Sequence, residues 1–399
     1  MLERMVCVGA LSVISWGFLA ALWSLAIVSW FAVWAVRRRR RITLALSAAA
    51  ALVLSLASAA DAVNAHYQYL PRVSDVLGQY TWPVVGQGAI QSLGNASSLP
   101  SIASPSASVS PSAPASPSAS ASPSAPASPS SAASAAVPVT AAHPRGAVVT
   151  LRVPDSRVGF SARQVLVYLP PQYFTDATAR FPVVYLLHGS PGIPVDWLRG
   201  ADAAQAGLDA ARVNKPQILV MPHLSRNWLD DSECVNGARM HVEDFVTKDL
   251  VPSIDAQLRT LADRTDRSVA GMSAGGYCAL NLGLRDRALF GSIIDMSGYT
   301  HPTHTGGMTA LFGHRRDIAS VVAANSPDVY ARDLPQVSDS RIFLLCGTSD
   351  RAALAQMKSL GDVLRSRGAS VSWKTLPGGH TYGVWRPGLS DVLTSWTPE

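Results

Sequence analysis

Residues 270–280 read AGMSAGGYCAL, with Ser273 set among Gly271, Gly275 and Gly276, after a short apolar run and before a stretch rich in Ala and Leu. An apolar run, a turn of small residues and a helix former in that order describe a strand passing into a helix, the repeating unit of an α/β domain. Gly271 to Gly275 fit G-x-S-x-G, the pattern of a turn so sharp that its serine takes a strained backbone conformation. Small neighbours let the chain close around that turn and lift the hydroxyl above the sheet. Taken alone, the stretch is equally a glycine-rich joint without chemistry.

Working outward, apolar runs alternate with amphipathic ones from about Arg145 to the C-terminus. Val148 to Val153 and Gln164 to Leu169 read as opening strands. Val183 to Leu187, Gln217 to Met221, Ser268 to Gly271, Ser292 to Asp295 and Arg341 to Cys346 read as central strands, and Val371 to Thr375 as the last. Helices are expected over Val195 to Arg212, His241 to Leu261, Ala274 to Leu284 and Arg351 to Arg367, with one more near Gly388. Residues 145–399 therefore form one α/β domain, a mostly parallel central sheet flanked by helices, with no internal repeat.

A serine hydroxyl is a weak nucleophile, so the catalytic reading of Ser273 needs a general base and an orienting carboxylate further along the chain. Asp350 follows the strand in RIFLLCGTSDRAAL, at the sheet's C-terminal edge, where open α/β sheets place their ligands. Asp295, after the preceding strand, is the rival acid, and a helix N-cap is the alternative role for Asp350. His380 follows the last strand in the glycine-rich KTLPGGHTYGVW. None of His223, His241, His301, His304 and His314 lies beyond that strand. The amide of Ala274, at a helix N-terminus, points toward charge developing on an attacked carbonyl. The second such amide is expected from Ser190 in YLLHGSPG, with His188 holding that loop.

Of the four cysteines, Cys7 lies in an apolar segment. Cys234 and Cys278 are close enough to the same face for a bridge, with two separate buried thiols the equal alternative. Trp197, Trp228 and Trp385 are candidates for lining a pocket or for filling the core. Asp230, Asp231 and Glu233 read as a solvated loop in preference to a cation site. No cysteine and histidine spacing suggests zinc, and no glycine-rich loop after the first strand suggests a phosphate; no metal and no cofactor is expected.

The N-terminal part differs in kind. Met5 to Val36 carry no charge, Arg37 to Arg41 form a basic run, and Ile42 to Ala60 are again uncharged. Each apolar stretch is long enough to cross a bilayer as a helix, so residues 1–62 are expected to form a transmembrane hairpin with spans at about 8–36 and 42–60. Clustered arginine stays cytoplasmic, which places the catalytic domain outside the cell membrane. A long signal peptide cleaved near SLASAADA is the alternative. Five of the formal +6 charges sit in that arginine run, so the basic balance points to a membrane surface and not to nucleic acid. Residues 63–98 are expected to be a juxtamembrane segment without chemistry. Residues 99–143, almost all Ser, Ala and Pro, are expected to be a disordered tether that holds the domain away from the membrane.

Together, VVYLLHG, VMPHLSRNW, DFVTKDLVPSID, VAGMSAGGYCALNLGL, CGTSD and GGHTYGVW resemble the esterase D-like branch of the α/β hydrolases, over about Val148 to Trp396. That branch includes S-formylglutathione hydrolases, feruloyl esterases and mycolyltransferases, and the hairpin and linker look like a membrane-anchored actinobacterial variant. The resemblance implies an α/β-hydrolase fold with Ser273 as nucleophile, His380 as base then acid, Asp350 orienting it, and Ser190 and Ala274 as oxyanion amides. His188-Gly189 stands where mycolyltransferases carry Asp-Gly, which favours the esterase members. The expected activity is ester hydrolysis through an acyl-enzyme, on an ester of the envelope lipid or glycolipid class. An envelope acyltransferase is the nearest alternative, and a non-catalytic surface binding module the alternative of another class.

Overall fold

A computed structural model describes residues 16–36, 41–70, 82, 84–85, 143–162 and 164–395. Nine strands form one sheet: β1 Val84–Val85, β2 Ala147–Arg152, β3 Gln164–Leu169, β4 Val183–Leu187, β5 Ile218–Met221, β6 Arg267–Met272, β7 Ser292–Met296, β8 Arg341–Gly347 and β9 Ser370–Leu376. Their order is β1-β2-β3-β5-β4-β6-β7-β8-β9. β3 runs antiparallel to both its neighbours, and every pair from β5 through β4 to β9 is parallel. Parallel strands are covered on both faces, which is why β4 to β7 are apolar almost throughout and buried.

Alternate residues of each strand enter opposite cores. Val183, Tyr185 and Leu187 of β4 join one core with the helices Ala274–Arg285 (α4) and Arg351–Ser366 (α5). Val184 and Leu186 join the other with Ala203–Arg212 (α3) and Tyr382–Ser395 (α6). Each fully buried Val, Leu or Ile contributes roughly 1.5–3 kcal/mol through burial, so this alternation fixes which face of the sheet each helix covers.

Several elements depart from the expected pattern. The helix expected over Val195 to Arg212 breaks into Asp196–Arg199 and α3, because Gly200 packs against the Tyr382 ring and Asp202 takes a left-handed φ of 53°. The one expected over His241 to Leu261 ends at Gln257 and has a π-helical middle, Phe245–Leu250, just before Pro252, which has no amide to donate to the preceding turn. Helices at Gly307–Phe312 and Ile318–Ala324 were not anticipated. Nor was β1, which lies in the segment read as a plain juxtamembrane stretch and pairs in parallel with β2.

Ahead of the domain, the helices Trp16–Val36 (α1) and Arg41–Tyr67 (α2) pack together, with Trp30 Nε1 donating to Ser55 Oγ at 3.1 Å. Among the described residues one helix, Ala45–Tyr67, is long and apolar enough to cross a membrane; Ala20–Ala32 is a shorter apolar helix. The expected tether at 99–143 lies outside the described residues except for residue 143.

Candidate active site

Ser273 follows β6 and precedes α4, with φ 58° and ψ −123°. A non-glycine residue held there carries on the order of 1–3 kcal/mol of strain, which the surroundings must offset. They do so by closing tightly. A Cβ on Gly271 would lie 1.8 Å from the Gly275 carbonyl oxygen, and one on Gly275 would lie 2.0 Å from that of Leu187. The Ser273 amide donates to Met296 O at 2.9 Å, and the Gly276 amide returns to Ser273 O.

His380 Nε2 lies 2.8 Å from Ser273 Oγ, and His380 Nδ1 lies 2.7 Å from Asp350 Oδ2. A carboxylate only accepts, so Nδ1–H donates to Asp350 and Nε2 is left to receive the serine proton. The two loops that carry these groups are fastened together, with Ser349 N donating to Gly378 O at 2.7 Å and Thr348 N to Leu376 O at 2.9 Å. Burial opposes ionisation of Asp350, but its hydrogen bond and charge interaction with His380, aided by the Ser297 hydroxyl, hold the carboxyl below its ordinary value. Asp350 also stands at the N-cap position of α5, but its side chain makes no capping hydrogen bond there and is turned to His380. The edge of His380 meets the Trp385 ring at 4.9 Å.

Asp295, the rival acid, makes no hydrogen bond to His380, whose Nδ1 is taken by Asp350. Its carboxyl is completely buried under α4, with Oδ1 accepting from Gly298 N at 2.7 Å. Burial, with the neighbouring Asp350 charge, pushes it up to about 8.

The loop after β4 abuts the serine. A Cβ on Gly189 would lie 3.3 Å from Ser273 Cβ. His188 is buried, with its Nε2 accepting from Leu224 N at 3.2 Å and its Nδ1 donating to Gly189 O at 2.8 Å. Burial lowers it to about 4, so it is a neutral brace for this loop. Ser190 and Ala274 line one small cavity together with Cys234 and Cys278. Ala274 opens α4, where backbone N–H groups lack intrahelical acceptors.

Cys234 and Cys278 are bridged, tying the 230–236 loop to α4; Cys346 is a buried free thiol. The acidic run in that loop is not the solvated one expected. Glu233 is 1% exposed, accepts from Thr303 N at 2.7 Å and is pushed up to about 8 by burial and by Asp231. The three tryptophans separate as well. Trp197 is core, Trp228 is exposed, and Trp385 is the one beside the site. Among the described residues no group of His, Cys, Asp and Glu is arranged to hold a metal ion.

Sequence reasoning missed Asp196, Tyr382 and Tyr69, which pack behind the loops that carry Ser190 and His380. Their only signal was an aromatic cluster shared by NAHYQYLP and HTYGVW, and side chains far apart in the chain cannot be paired by spacing.

A family model described as "Putative esterase" matches residues 160–395. An uncharacterised protein of Corynebacterium glutamicum is 26% identical over 248 residues, covering 60% of this chain and 58% of that protein. An esterase of Mycobacterium tuberculosis is 28% identical over 266 residues, covering 60% of this chain and 56% of its own length. The chain thus spans little more than half the length of these relatives. Among solved structures, a ferulic acid esterase superposes with a TM-score of 0.54 at 25% identity, over 62% of this chain and 96% of that one. A fluorophosphonate-binding serine hydrolase of Staphylococcus aureus superposes at 0.52 and 18% identity, over 63% and 98%, a likeness of fold.

Proposed function

The chain belongs to the esterase family, on the α/β-hydrolase fold, and from that premise we propose that it is a membrane-anchored serine esterase acting outside the cytoplasm. Ser273 Oγ attacks the ester carbonyl while His380 Nε2 takes its proton. The negative charge on the carbonyl oxygen is met by the amides of Ser190 and Ala274, and Asp350 stabilises the imidazolium. Collapse breaks the acyl–oxygen bond, the alcohol leaves with the proton from His380, and the acyl group stays on Ser273. Water, deprotonated by His380, then attacks the acyl-enzyme, and the acid departs as the serine regains its proton. The observation that carries this assignment is the continuous relay of 2.7 and 2.8 Å through His380.

Anchoring is supported by surface chemistry. On α1 and α2, Trp23, Leu25, Val28, Phe31, Trp34 and Leu56 are all more than half exposed, an apolar area that water does not tolerate on a monomer. Ser24, Ser29, Ser55 and Ser58 return their hydroxyls to the carbonyl four residues earlier, which satisfies them where no water is present. We assign both helices to a two-span hairpin, and the arginines at its turn put the domain on the extracytoplasmic side. The substrate class is an ester of an envelope lipid or glycolipid, within reach of such an anchor.

A serine-directed fluorophosphonate and a short-chain p-nitrophenyl ester test the chemistry. Stoichiometric labelling of wild type, none of Ser273→Ala, and loss of turnover in that variant are expected. Labelling that persists in Ser273→Ala overturns the assignment. With an added alcohol acceptor, release of free acid alone marks hydrolysis, and ester formed on the acceptor marks acyl transfer.

A further inference from the structure

The segment after α2 was expected to be a plain spacer leading to a long tether, yet it is bonded to both catalytic loops. Tyr69 donates its hydroxyl to Asp196 Oδ1, and the other carboxylate oxygen of Asp196 accepts from Ile193 N at 2.8 Å, three residues beyond Ser190. The Tyr69 ring packs edge-on against Tyr382 at 5.0 Å, two residues beyond His380. Tyr382 in turn meets Trp385 at 5.0 Å, and Trp385 meets His380 at 4.9 Å. Arg386 of the same helix donates to the carbonyls of Gln68 and Tyr69 at 3.1 and 3.4 Å. The turn that aims Tyr69 is fixed by Asn64, whose side chain exchanges hydrogen bonds with Leu70 N and O at 2.7 and 2.8 Å.

A second attachment follows within twenty residues. Trp82 is buried against Tyr168, with the Arg145 guanidinium 4.1 Å above its ring, and Val84 and Val85 pair with Val148 and Val149. The described residues on either side of 86–142 therefore both belong to the domain: Val85 pairs with Val149, and His143 packs against Phe174.

We propose that residues 64–70, together with Trp82, Val84 and Val85, are a built-in clamp, which docks the catalytic domain on its own anchor helix and positions the His380 and Ser190 loops through Tyr69. Tyr69 is a positioning residue: it acts through Asp196 on one loop and through Tyr382 on the other. Docked in this way, the domain works at the surface in which α2 is embedded and not at the end of a stalk, which suits an ester carried by a lipid. The catalytic part of the proposal rests on His380 acting as the base; the docking part does not.

The test uses the full chain in detergent, with an N-terminal affinity tag and a protease site inserted within residues 99–142. After cleavage, capture of the tagged half is expected to retain the catalytic half, and Tyr69→Ala combined with Trp82→Ala is expected to release it. Uncleaved Tyr69→Phe, which keeps the ring and loses the hydroxyl, is expected to lower kcat on a soluble p-nitrophenyl ester by roughly tenfold, the size of one lost hydrogen bond to a charged group. The rate of phosphonate labelling at Ser273 should fall in the same ratio, with KM and melting temperature little changed. Separation of the cut wild-type halves, with turnover unaltered, overturns the clamp. Retention of the halves without any esterase activity in wild type leaves the dock standing and sinks the esterase reading.

Discussion

Asp350 and His380, thirty residues apart in the chain, meet at 2.7 Å because β8 and β9 are parallel neighbours whose following loops are joined backbone to backbone. Asp295, one strand nearer to the serine, ends sealed beneath α4. Asp295 lies inside β7, in register with Leu344, whereas Asp350 stands three residues beyond the end of β8, and the two carboxyls accordingly meet opposite environments.

Asp350→Asn leaves the fold intact but lets the amide present its NH2 to Nδ1, favouring the tautomer in which Nε2 carries the proton. A loss of roughly 10³–10⁴ in kcat is expected, measured on a soluble ester. Asp295→Asn keeps an oxygen for Gly298 N and should stay within a few-fold of wild type. Equal losses in the two variants would reject this division of roles.

The same pair predicts pH-dependent stability of opposite sign. Asp295, pushed up to about 8 by burial, keeps a proton in the folded state that the unfolded chain releases above about 4. Stability should therefore fall as pH rises from about 4 toward 8, by at most about 1.4 kcal/mol per pH unit. Asp350, held below its ordinary value, contributes stability that is present above that value and lost as pH falls through the folded one. Urea midpoints taken from pH 4 to pH 8 should decline less in Asp295→Asn than in wild type.

Gly275→Ala would set a methyl 2.0 Å from the Leu187 carbonyl oxygen, a backbone atom that cannot swing aside. The turn must open, moving Ser273 away from His380. Near-complete loss of phosphonate labelling is expected, with a destabilisation of several kcal/mol in chemical denaturation, within the range for large core disruptions. Normal labelling would show that the turn tolerates more space than its contacts imply.

The Cys234–Cys278 bridge spans 44 residues, for which the chain-entropy estimate is about 4 kcal/mol and typical values are 2–4. Because it fastens the loop facing Ser190 to the helix that carries Ser273, reduction should also slow acylation. Thermal melts and labelling rates, each with and without dithiothreitol, are expected to shift together. A melting point that falls with no change in labelling would confine the bridge to stability.

Much of the site was legible because its chemistry is written in short local patterns. The close backbone approaches at Gly271 and Gly275 demand glycine, the strand-to-helix turn demands an apolar run on one side, and the triad residues each follow a strand. Sequence reading favoured Asp350 over its rival Asp295, and it misread Glu233 as solvated because burial belongs to the packed loop and not to its charge pattern.

The sequence by itself determined an α/β domain after an apolar N-terminus and a Ser-Ala-Pro stretch, and named Ser273, Asp350 and His380, since residue type and period decide local conformation. Only the tertiary structure decided that Asp295 is sealed away from His380, that Cys234 joins Cys278, and that Tyr69 lies behind the loops of Ser190 and His380. Each of these is a meeting of distant chain segments, set by how the sheet orders its strands and which core each helix enters, and contacts of that kind leave no period in the chain.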